Sequence, residues 1–169
     1  MKQTLAFIQV VFRADASIQI GTGHVMRCLT LAAGLAKQGA QIQFLCRVHD
    51  GNLIDLIEQR GFTVHRLSNS GSVILQDDAV SPVHSDWLGC DWQTDANVCR
   101  DIISDLVDWI IVDHYALDYR WESVLRDKCH HMMCIDDLAD RMHDCDVLLD
   151  QSLGRTANDY REFVSVGTR

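Results

Sequence analysis

The sequence predicts an α/β domain: a parallel sheet with helices on both faces. Three observations predict it. Stretches of strand length alternate with stretches of helix length along the 169 residues, the signature of βαβ units. The strand-like stretches are apolar throughout instead of alternating, so both of their faces are covered, as in parallel sheets. A Gly-x-Gly turn then joins the first strand to the first helix, at Gly21 and Gly23.

The elements follow in order. Residues Ala6 to Arg13 (AFIQVVFR) are β-rich and apolar, a first strand. A helix runs from His24 to Gln38 and stops at Gly39, the residue type that most readily ends a helix. Its polar stripe is narrow (Arg27, Thr30, Gly34, Lys37, Gln38), so the helix is expected to be largely buried. Gln41 to Val48 reads as a second strand, Asn52 to Gln59 as a short helix ending near Gly61, and Phe62 to Leu67 as a third strand. A loop rich in Ser and Asp covers Ser68 to Cys90 and holds the only proline, Pro82. Thr94 to Leu106 has helical periodicity, Trp109 to Val112 is a buried strand, and Tyr119 to Asp127 is a helix. His131 to Ile135 and Val147 to Leu149 complete the strands, and the segment after Leu149 has no closing helix. It reads either as a frayed tail or as the start of a connection to another lobe.

Composition narrows the function. The net charge is −9 and no basic run occurs, which argues against nucleic acid as a partner. No apolar run is long enough to span a bilayer, and the N-terminus lacks the pattern of a signal peptide. Seven cysteines, an odd number without framework spacing, point to reduced thiols packed as small hydrophobes in a cytoplasmic protein. Cys129, His130, His131 and Cys134 invite a zinc reading, but strand alternation splits them and no second cysteine pair exists; no metal is expected.

In open parallel sheets ligands bind beyond the carboxyl ends of the strands, so the residues just past each strand form a map of the site. Arg13, Asp15, Gly21 and Gly23 follow the first strand, and Asp113, His114 and Tyr115 follow the WIIV strand. Asp136 and Asp137 follow the next, and Asp150 and Gln151 the last. The glycines permit a sharp turn and close approach of the backbone, and the helix start that follows favours negative charge. As a dinucleotide fingerprint the turn is poor, because Met26 stands at the third glycine position; no cofactor is expected. His24 has two readings, a capping or core histidine, or a general base kept neutral at the positive end of a helix. Asp15 is the candidate to orient it. Asp113 to Tyr115 taken alone is a strand-end turn with Asp113 as a cap. The four tryptophans read as packing, although Trp87 and Trp92 flank Leu88-Gly89-Cys90 and could line a site.

The motifs FRADASIQIGTGHVMRCLTLA, HSDWLGCDWQTDA, WIIVDHYALDYRWE, CIDDLADRMHDCDVLLDQSLG and NDY occur in the order in which they occur in the PseG/SpsG-type nucleotide-sugar hydrolases. The chain resembles that family from about Phe12 to Tyr160. The resemblance implies a Rossmann-like lobe, the N-terminal half of a GT-B fold related to MurG, with 1–169 forming that single lobe and the C-terminal UDP-binding lobe absent. It places the family's catalytic histidine on His24, its glycine-rich turn on Gly21 and Gly23, and its site tyrosine on Tyr115. Arg13, Asp15, Asp113 and His114 fall on positions near the sugar. It implies hydrolysis of a UDP-linked diacetamido-trideoxyhexose with inversion, in pseudaminic acid synthesis, and leaves open whether this chain alone turns over. The alternatives are a glycosyltransferase lobe and a non-catalytic sugar-binding module. A lobe with an open cleft face is also expected to pair with a second copy of itself.

Overall fold

The computed structural model describes residues 7–69 and 81–169. Ala6 of the expected first strand and 70–80 of the expected loop lie outside the described residues. Six strands form one sheet: β1 (Gln9–Ala14), β2 (Gln41–Arg47), β3 (Thr63–Leu67), β4 (Val107–Asp113), β5 (Cys129–Ile135) and β6 (Val147–Leu149). Their spatial order is β3-β2-β1-β4-β5-β6 and every pair is parallel. This is the Rossmann-like arrangement, whose strand order reverses between β1 and β4. The connections leaving those two strands pass to opposite faces of the sheet.

Helices α1 (Gly23–Lys37) and α2 (Ile54–Gln59) cover one face, and α3 (Trp92–Ile102) and α4 (Tyr119–Leu125) the other. Alternation along β1 assigns the two cores. Val10, Phe12 and Ala14 pack with Val25, Cys28, Leu29 and Ala32 of α1. Val11 faces the opposite layer, with Ala96 and Cys99 of α3 and Trp121 and Leu125 of α4. The continuous apolar character of β1 and β4 follows from having a helix layer on each side.

Boundaries differ from the sequence reading where a cap or a strand entry decides them. The third helix starts at Trp92, two residues earlier than expected, because Asp91 caps it by accepting from the Thr94 amide at 2.8 Å. It ends at Ile102, and Leu106 is left between helix and strand. The terminal segment is docked, so the frayed-tail alternative does not hold. Tyr160 is buried, with its hydroxyl 2.8 Å from Asp150 Oδ2 and 2.9 Å from the Asp136 carbonyl oxygen. His143 pairs with Val164, and the backbone of Arg169 bonds to Asp146 and Leu148 beside β6. All seven cysteines are buried free thiols. Among the described residues no helix is long and apolar enough to cross a membrane.

Candidate functional site

The loop from β1 to α1 is closed locally. Ser17 Oγ accepts from the amides of Gln19 and Ile20, and the Gly21 amide donates to the Ser17 carbonyl at 2.8 Å. Gly21 completes this turn with φ of 79°, a backbone state that side chains disfavour. Gly23 has no such need: it is the first helical residue of α1, with open space around it. Thr22 provides no side-chain cap, so the first amides of α1 are available to a negatively charged group.

His24 is 5% exposed and stands at that helix start. Its ring meets Tyr115 edge to face, with centroids 4.4 Å apart at 74°. Nδ1 is buried without a hydrogen-bond partner. Burial, helped by the charge of Arg27 and opposed by that of Asp113, lowers its pKa from 6.5 to about 4. The imidazole is therefore neutral at pH 7. His24 and Tyr115 come together across β1 and β4.

Four of the remaining expected residues lie behind this surface. Arg13 is fully buried on the α3 side of β1, held by Asp15 at 2.7 Å and Asp95 at 2.8 Å. Asp95 also takes Arg47 Nη2 at 2.6 Å and the Trp121 indole at 2.9 Å. Asp15 does not orient His24. One oxygen accepts from the Arg47 amide at 2.7 Å, and the other lies 3.1 Å from His114 Nε2. His114 is neutral, since its Nδ1 accepts from the Ala116 amide at 3.1 Å and burial lowers its pKa. Asp113 does not cap the next helix; Asp118 does, accepting from the Arg120 amide at 3.0 Å. Instead, Asp113 grips Arg27 through two bonds, of 2.5 and 2.6 Å.

Arg27 was legible only as part of a polar stripe, yet it links the site. Its third contact is Asp137 at 2.9 Å, and Asp137 accepts from the Tyr115 hydroxyl. Arg27 lies one helical turn from His24, so helix spacing was the signal for it. Asp136 is buried and braces the next loop, accepting from the amides of Leu138 and Ala139 and pairing with Arg141 at 2.7 Å. Arg141 in turn lies over the Tyr115 ring at 5.8 Å.

Of the expected cysteine–histidine group near β5, Cys129 and Cys134 are buried and His130 and His131 exposed. Among the described residues one other group, Glu122, Cys134 and His143, has ligand atoms within 4.8 Å of one another. Its contacts are those of a hydrogen-bond network. Glu122 accepts from Cys134 Sγ at 3.1 Å and the Asp144 amide at 2.5 Å, and it meets His143 Nδ1 at 2.8 Å.

No family model matches the chain. It is similar to UDP-2,4-diacetamido-2,4,6-trideoxy-beta-L-altropyranose hydrolase of Campylobacter jejuni, with 27% identity over 157 residues. The chain is a distant relative of that hydrolase. The match covers 93% of this chain and 46% of the relative, so the chain spans about half the relative's length.

Proposed function

We propose that this chain is one lobe of a nucleotide-sugar hydrolase in which His24 activates a water molecule against the anomeric carbon of a UDP-linked diacetamido-trideoxyhexose. The observation that carries the reading is a neutral imidazole held at the switch point of the sheet, with an unpartnered nitrogen and a ring fixed against Tyr115. The distant relationship to a UDP-sugar hydrolase supports it.

A ring nitrogen of His24 takes a proton from water while the oxygen attacks from the face opposite UDP. The carbon–oxygen bond to the diphosphate breaks, UDP leaves with the bonding pair, and the sugar is released inverted. UDP is a good leaving group, so no strong general acid is needed. With its pKa at about 4, His24 is a weak base; the negative charge of an arriving diphosphate raises it. Substrate binding thus strengthens the base. The amides at the start of α1, together with a second lobe facing this edge, meet the charge that develops on UDP. Arg13, Asp15, Asp113 and His114 act by position, and Tyr115 fixes the imidazole.

The test is UDP release from UDP-2,4-diacetamido-2,4,6-trideoxy-β-L-altropyranose without any acceptor, by this chain alone and with a UDP-binding lobe added. Release is expected, and His24→Gln should slow it by roughly 10²–10⁴-fold with UDP binding nearly unchanged. Release that needs an acceptor, absence of release in both arms, or an unaffected His24→Gln rate overturns the assignment.

A further inference from the structure

We propose that Trp87 and His84 form a ledge that binds the C–H face of the pyranose ring beside His24. The inference rests on the hydrolase reading and names what holds its sugar.

Four rings cluster beyond the carboxyl edge of the sheet. His84 lies on Trp87 with centroids 4.1 Å apart, and both face Tyr115, at 5.7 and 6.0 Å. Tyr115 touches His24. The first three rings are inclined to one another by 31° to 36°, so they form one contiguous aromatic surface that is not a single plane. His84 and Trp87 are half-buried and keep part of their surface toward solvent. Tyr115 links Trp87 to His24 through ring contacts of 6.0 and 4.4 Å, so a group resting on Trp87 lies beside the ring that touches the imidazole.

The ledge is anchored from several directions. It belongs to a 3₁₀ turn, Ser85–Leu88, whose Leu88 is buried in the core beneath. Gln19 Nε2, from the β1–α1 loop, donates to Asp86 Oδ2 at 3.2 Å and ties the turn to the glycine loop that presents His24. Gly89 ends the turn at φ of 75°, wedged between Asn69, His49 and Arg47. A fixed aromatic surface loses little entropy when a ligand settles on it.

The chemistry of the occupant follows. Aromatic faces carry negative potential and attract the polarised C–H groups of a sugar. A 2,4,6-trideoxyhexose has a methyl group in place of a hydroxymethyl, which enlarges its apolar face. The adjacent Asp137 and Arg27, each partly exposed, supply polar contacts for the amide arms.

The test uses saturation-transfer NMR with two separate probes, free 2,4-diacetamido-2,4,6-trideoxy-L-altropyranose and UDP, on the wild type, Trp87→Ala and Trp87→Phe. The ledge predicts transfer to the sugar's ring and methyl protons, affinity for the sugar falling roughly tenfold in Trp87→Ala, and most of it returning in Trp87→Phe. UDP binding should be the same in all three. A fluorotryptophan-labelled wild type, with the Trp87 resonance assigned through Trp87→Phe, gives a readout independent of variant folding: that resonance should move with added sugar. An unmoved resonance, unchanged sugar affinity in Trp87→Ala, or a loss confined to UDP overturns the ledge while leaving the His24 assignment standing. A wild type that fails to bind the sugar overturns both readings.

Discussion

A histidine that folding keeps neutral must make stability depend on pH, and the size of the effect follows from its burial. The His24 pKa is 6.5 in an open chain and about 4 in the folded one. Because the folded value is depressed, the unfolded chain gains a proton first as pH falls, and stability declines through the window from 6.5 toward 4. A tenfold difference in proton affinity between the two states corresponds to about 1.4 kcal/mol, so by pH 5 the contribution lost is about 2 kcal/mol. His24→Gln, which fits a similar space and does not titrate, should remove that portion. The assay is urea unfolding of both proteins at pH 7 and pH 5. The wild type should lose about 2 kcal/mol more than the variant between the two conditions. The other histidines, His114 among them, are common to both proteins and cancel in the difference. Equal pH dependence would refute the claim that the imidazole is held uncharged, and with it the inference that it is free to accept a proton.

Two further substitutions probe the supports of the site. Asp95→Ala leaves Arg13 and Arg47 short of a shared buried carboxylate, a loss of about 3–5 kcal/mol that should lower the melting temperature by roughly 10 °C in a chain of this size; a drop below about 2 °C would show that the network contributes little. Gly89→Ala places a methyl group 2.8 Å from Asn69 Oδ1 and 2.9 Å from His49 Cε1 at a positive φ. It should cost about 1–3 kcal/mol and shift the environment of Trp87, read by urea midpoint and tryptophan fluorescence; an unchanged midpoint would mean that the turn is not tightly held.

The parallel sheet was legible because its strands lack alternation: Phe12 and Val11 are both buried, on opposite sides. The rule that loops beyond strand ends gather together found His24 and Tyr115, which meet although they lie far apart in sequence. Which side of each strand end faces the ligand was not legible. Arg13 and Asp15 lie on the same strand end as the glycine turn, yet they pair with each other behind it, and Asp95 of α3 meets Arg13. Asp95 stands 82 positions from Arg13, and no local pattern on α3 announces a buried carboxylate among apolar neighbours. The terminal segment was illegible for a related reason: Tyr160 finds its place through Asp136 and Asp150, contacts that periodicity does not encode.

The arginines at the strand tips have an electrostatic consequence. Arg13, Arg27, Arg47 and Arg141 are each matched by an aspartate within 2.9 Å, so none offers surplus positive field to an approaching diphosphate. The chain as a whole carries −9. Under the proposed function, a UDP-sugar approaches this chain against a repulsive potential, which added salt would shield. Its capture should quicken with ionic strength, the reverse of the behaviour of a phosphate site built from free cations.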